Sequence, residues 1–157
     1  MKSNWSKTAI PSLKSLLIWE RGLKYDDMAR FMYYDAALYY RERKKIKTVV
    51  IYSSDITESL DEILCGSLNY KVEAFYMVNI DGDEKYKNLK NKIDNGKELT
   101  INDIVTLTFI PLMKSNLSKG ARAMNSLNLA KSINDEKLRE DCIILLYALF
   151  INLQIMN

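Results

Sequence analysis

Histidine is missing altogether from this 157-residue chain. Its absence removes imidazole general bases, histidine-activated nucleophiles and histidine zinc ligands together. Any chemistry must rest on Asp, Glu, Lys, Tyr, Ser or Cys. Cysteine is scarce as well: Cys65 and Cys142 stand alone, with no Cys-x-x-Cys spacing, which reads as two free thiols rather than a disulfide framework. With only five glycines, no glycine-rich phosphate loop is present. The longest apolar run, Cys142 to Ile151, has about half the length a membrane span needs. No apolar h-region follows the Met1-Lys2-Ser3-Asn4-Trp5 start, so no signal peptide is read and a cytoplasmic chain without membrane attachment is expected. A formal charge of +3 is too small to mark a nucleic-acid binder without local clustering.

The composition is otherwise that of a globular domain, 48% apolar and 27% charged, long enough to bury a core. Residues 1–14 have no clear period and read as an irregular arm. Leu13 to Trp19 is a short apolar stretch compatible with a strand or a helical turn, stopped by Gly22. From Asp26 a helical period begins, with acids at its start and Arg41, Arg43, Lys44 and Lys45 at its end, as the macrodipole favours. Met28, Phe31, Met32, Leu38 and Tyr39 supply a buried stripe, which Tyr33, Tyr34 and Tyr40 widen. Lys47 to Ser53 is β-branched on both parities and reads as a central strand. Asn69 to Ile80 alternates with a period of two and reads as one long strand, the stretch between as a loop.

Beyond Asp81-Gly82-Asp83 the pattern is helical. It predicts a helix over residues 84–95 ended by Gly96, one opened by a capping box at Thr100 and Asp103 and stopped near Pro111, a third capped by Ser118, and a fourth opened by Asn134. The third carries Ala121, Met124, Leu127 and Ile133 as its apolar residues. The fourth is apolar around its circumference from Cys142 and is expected to be buried on all sides, by a partner subunit or by further sequence.

Candidate chemistry is sparse. Arg41, Arg43, Lys44, Lys45 and Lys47 form the one basic cluster, a candidate for phosphate contact, though a favourable helix end explains it too. Asp81-Gly82-Asp83-Glu84 lacks calcium-loop spacing and reads as a turn with an acidic helix start. Asp26-Asp27 and Asp61-Glu62 read likewise. Ser53-Ser54 has no base partner. Tyr33, Tyr34, Tyr39 and Tyr40 suit a core or interface better than a base-stacking platform.

The block Asp27 to Leu38, then Lys47 to Tyr52, Val72-Glu73-Ala74-Phe75-Tyr76 with Ile80-Asp81-Gly82-Asp83, Ile93 to Thr100, and Phe109 to Ser115 resembles the Rpn-type recombination-promoting nucleases. These are transposase-like members of the PD-(D/E)XK superfamily. The resemblance covers residues 25–133 and implies an α/β fold: a helix packed on a small sheet of two to three strands, followed by an α-helical C-terminal portion. It implies a partial nuclease-like α/β region over 1–83, with the helical region over 84–157 completing one compact unit. In that family a magnesium site of an Asp and a Glu-x-Lys or Glu-x-Gln lies upstream of this block. Here Glu20 is the weak candidate remnant, with Gly22 where Lys or Gln is expected. The expectation is therefore a shortened, non-catalytic relative without cofactor. It would associate with itself or a full-length nuclease, as an inhibitor or a remnant. The alternative is an active magnesium-dependent DNA endonuclease involved in recombination or transposition, with Glu20 joined by Asp26 or Asp55.

Overall fold

Helix α1, Tyr25–Glu42, opens where Asp27 turns back to accept the Lys24 backbone N–H at 2.9 Å. It closes at Arg43, which takes the left-handed conformation (φ 52°) as its N–H bonds the Tyr39 carbonyl. The computed structural model describes residues 13–19 and 21–152, with residues 13–19 and 152 as backbone alone. Up to residue 12, the expected irregular arm lies outside the described residues, and so does Glu20.

Five strands accompany α1: β1 (Leu13–Trp19), β2 (Ile46–Tyr52), β3 (Glu62–Cys65), β4 (Leu68–Lys71) and β5 (Glu73–Tyr76). They make a three-stranded sheet in the order β1-β2-β5 and a separate antiparallel hairpin of β3 and β4. The helices α2 (Gly82–Asp94), α3 (Ile101–Phe109), α4 (Lys119–Lys131) and α5 (Glu136–Asn152) follow. The fold is thus α/β with a helical C-terminal portion, as the sequence predicts.

Two details differ from the expected strands. The alternating stretch 69–80 is not one strand. The Val72 N–H bonds the Asp61 carbonyl at 2.9 Å, which separates β4 from β5, and the chain then enters a 3-10 turn at Met77–Asn79. Alternation persists through such a break, so parity alone could not reveal it. The preceding region, expected as loop, contains β3. Gly66 at φ 65° lies in the two-residue turn closing the hairpin, a conformation that costs glycine little.

The chain divides into two compact units, one of residues 1–51 and 58–75, the other of residues 52–57 and 76–157. In the first, Met28 and Phe31 of α1, Val49, Val50 and Ile51 of β2, Ile63 and Val72 are buried. In the second, α5 packs on α3 and α4, burying Leu107, Leu127, Ala130, Cys142, Leu146, Leu149 and Phe150. Met124, expected in the apolar stripe of α4, is 47% exposed, while Ala123 beside it is buried. Ser118 caps α4 by accepting from the Ala121 N–H, as predicted. Pro111 sits in a 3-10 turn, Ile110–Leu112, that ends α3.

Candidate functional site

The C-terminal end of α1 gathers the five basic candidates on exposed positions. Their neighbours already engage three of them. Arg41 pairs with Glu42 at 2.7 Å, Lys47 with Glu73 at 2.6 Å, and the Arg43 guanidinium lies 4.6 Å from the Tyr40 ring centroid. Lys44 and Lys45 have no carboxylate within ion-pair reach among the described residues.

The tyrosines of α1 depart from expectation. Tyr33, Tyr34, Tyr39 and Tyr40 are 69%, 57%, 52% and 72% exposed, so Tyr39 is not part of the buried stripe and the other three do not widen it. Among the described residues, one side of α1 is covered, through Met28, Phe31 and the half-buried Met32, Asp35 and Leu38. A tyrosine ring is apolar with a polar tip, which leaves its side of a helix undetermined by periodicity.

Two carboxylates of the first unit are anchored. Asp27 receives both Arg21 guanidinium nitrogens at 2.8 and 2.9 Å together with the Lys24 N–H. Asp35 receives the Thr48 hydroxyl at 2.6 Å and the Tyr70 hydroxyl at 2.7 Å, joining α1 to β2 and β4. Burial, with Asp35 alongside, pushes the Tyr70 phenol well above its usual range. Asp35 was not singled out from sequence, because a lone Asp in a helix carries no spacing signal.

In the second unit Asp81 caps α2, accepting from the Glu84 N–H at 3.0 Å. Its neighbour Gly82 donates its N–H to the Lys114 carbonyl at 2.7 Å. A Cβ at Gly82 would stand 2.9 Å from the Met113 Cβ, so this close approach requires glycine. Asp83 then reaches the following loop, accepting from the Ser115 hydroxyl and, at 3.0 Å, from the Asn116 N–H. Below this loop the buried Arg122 donates to the Met113 carbonyl and, at 3.3 Å, to the Ser54 hydroxyl. The acidic group at 81–84 is thus spent on a helix cap and a loop anchor. Arg122 went unnoticed from sequence because an arginine in a polar helix reads as surface.

Folding lowers three carboxyls. The Ser115 hydroxyl and Asn116 hold Asp83 below its ordinary range, and the Arg21 guanidinium does the same for Asp27. Burial pushes Asp103 up, but bonds from Lys92 and Thr100 outweigh it. The unfolded chain therefore binds more protons near pH 4, so the contribution of these groups is complete above the ordinary carboxylate value of about 3.9 and drains as pH falls through the lowered folded values. Urea midpoints at pH 7, 5 and 3 should be similar for the first two and lower at the third, with a shallower drop in Asp27→Asn. A midpoint unchanged down to pH 3 would contradict this.

Helix α5 is not buried on all sides. Cys142, Leu146, Leu149 and Phe150 face inward, whereas Ile144, Leu145, Tyr147 and Ile151 are 63%, 45%, 44% and 77% exposed. Residues 144, 147 and 151 recur at helical spacing, so the exposed group forms a second apolar stripe. Cys142, packed inside, has its thiol pushed up to about 11 by burial and is a structural residue rather than a nucleophile.

No group of three His, Cys, Asp or Glu side chains gathers to hold a metal ion among the described residues. No helix among them is long and apolar enough to cross a membrane. Comparison with protein-family models gave no match, and neither the curated proteins nor the solved structures gave a significant one.

Proposed function

We propose that this chain is a non-catalytic relative of the Rpn-type nucleases that acts by protein association, with the outward stripe of α5 as the surface on which two copies pair. The supporting observation is that stripe, in which Ile144 and Ile151 keep 63% and 77% of their surface in water. Covering an apolar surface of this kind gains about 25 cal/mol for each Å² removed from water. Magnesium-dependent hydrolysis asks instead for carboxylates converging on one ion. The carboxylates described above serve other roles: Asp27 holds Arg21, Asp35 holds Thr48 and Tyr70, and Asp83 holds Ser115 and Asn116. Among the candidates for such a site, Asp55 pairs with Lys119 at 3.1 Å and Glu20 lies outside the described residues, and no step through a metal ion is derived.

Analytical ultracentrifugation tests the pairing. The native chain should sediment above its 18.2 kDa monomer mass, and Ile144→Lys with Ile151→Lys should weaken the dimer at least about 100-fold, since lysine heads are expelled from an apolar seam. A native chain that stays monomeric at 100 μM, or a dimer indifferent to both substitutions, would remove the proposal. Co-expression with a full-length relative, followed by pull-down and a toxicity assay, then asks whether the partner is also a nuclease.

A second reading has its own observation. Exposed tyrosines beside Lys44 and Lys45 at the end of α1 combine ring faces with uncompensated cations, the ingredients of nucleic-acid contact. Binding of a fluorescent oligonucleotide should then fall steeply with salt, and Lys44→Ala with Lys45→Ala should flatten the salt slope by about two. Salt-independent binding would reject it.

A further inference from the structure

One face of α2 sets lysines and asparagines over an open groove. On the neighbouring face Lys90 pairs with Asp94 at 2.7 Å, the ordinary i,i+4 arrangement of a solvated helix. Along the other face run Lys85, Asn88, Asn91, Lys92 and Asn95, and with Lys97 and Asp103 of the following segment they line an open groove of about 460 Å³. Both α2 and α3 belong to the second unit, and they pack on each other.

The one acid in this groove is already saturated. Asp103 takes the Lys92 ammonium on both its oxygens, at 2.8 and 2.9 Å, and accepts the Thr100 N–H and hydroxyl as well. Lys92 and Asp103 therefore cancel at the centre. No carboxylate lies within ion-pair distance of Lys85 or Lys97 among the described residues. The groove thus carries two uncompensated cations, one near each end. Lys85 lies in the first turn of α2 and Lys97 just beyond the last, which separates them by about 15 Å along the axis. Between them, the side-chain amides of Asn88 and Asn91 make no hydrogen bond to the protein among the described residues. The buried Leu89 lies on the groove's apolar side.

We infer that this groove binds an extended phosphorylated ligand, a polyphosphate chain or a nucleoside polyphosphate. Lysine ammoniums engage phosphate as point charges. Two of them that far apart suit several linked phosphates better than a single one. Unpaired amides supply both donors and acceptors and match hydroxyls or base edges rather than further anionic oxygens. The volume lies within the range of ordinary small-ligand sites.

Isothermal titration at 50 mM and 200 mM salt, with inorganic phosphate, tripolyphosphate and a nucleoside triphosphate as probes, tests the assignment. Tripolyphosphate should bind at least tenfold more tightly than inorganic phosphate and weaken as salt rises. Lys85→Glu with Lys97→Glu, both exposed positions, should abolish binding while the far-UV circular dichroism stays unchanged. Asn88→Ala with Asn91→Ala distinguishes the sources. A loss confined to the nucleotide identifies a nucleoside polyphosphate, whereas equal retention of both probes identifies the inorganic chain. Absence of saturable binding by any probe up to 1 mM would overturn the inference. So would tripolyphosphate affinity unchanged in the double lysine variant.

Discussion

Arg122→Ala should destabilise the second unit by about 3 kcal/mol, the cost of withdrawing charge-assisted hydrogen bonds from buried acceptors. Arg122 is 6% exposed, and its guanidinium ties two separate stretches of chain to α4, the Met113 carbonyl and the Ser54 hydroxyl. Removing it orphans that carbonyl and opens space beside Ser126, which is itself fully buried. An opposing effect must be weighed. Burial of the charge lowers the Arg122 pKa, and its Nε has no partner, so the arginine is held at an electrostatic cost. Arg122→Met therefore makes the informative comparison. It keeps an apolar stem in the space, sheds the desolvation cost, and should lose roughly half as much as the alanine variant. Urea denaturation of both variants decides the matter. If alanine and methionine cost the same, packing contributes nothing and the hydrogen bonds carry the whole effect. If neither costs more than about 0.5 kcal/mol, as at an ordinary surface site, the buried anchor does not exist.

Phe150→Ala should be costlier still, about 4 kcal/mol. Phe150 is 1% exposed, lies on the inward side of α5 and meets the Tyr147 ring edge-on at 6.4 Å between centroids. Truncation forfeits the transfer energy of a large ring and leaves a cavity that helices anchored elsewhere cannot collapse. The control lies three residues away on the same helix: Tyr147 is 44% exposed, and Tyr147→Ala should cost no more than about 1.5 kcal/mol. Equal losses at the two positions would mean that α5 does not present distinct inner and outer sides, and the association proposed for its outer stripe would fall with it. The midpoint should shift with no change in the urea dependence, since the surface exposed on unfolding is nearly the same.

Much of this architecture was legible in the residues. The acidic start and basic end of α1, the β-branched run of β2, the capping box at Thr100 and Asp103, and the cap at Ser118 each act through neighbours within a few positions. Local chemistry of that kind reads directly from sequence. The hairpin of β3 and β4 did not read, because four residues with an exposed Leu64 carry too little pattern. The candidate site was legible only in part. The basic residues at the end of α1 stood out as a run, whereas the groove on α2 assembles from residues spaced along one helix face and completed from the next segment.

By itself the sequence determined the element types and most of their ends, and it excluded histidine chemistry, because propensity, capping and composition are local properties. Only the tertiary structure decided which side of each helix meets water. It left the tyrosines of α1 outside, divided the apolar circumference of α5 into a packed face and an open one, and drew Arg122 inside. Burial depends on what lies opposite in space, and a residue's own period carries no information about its partner.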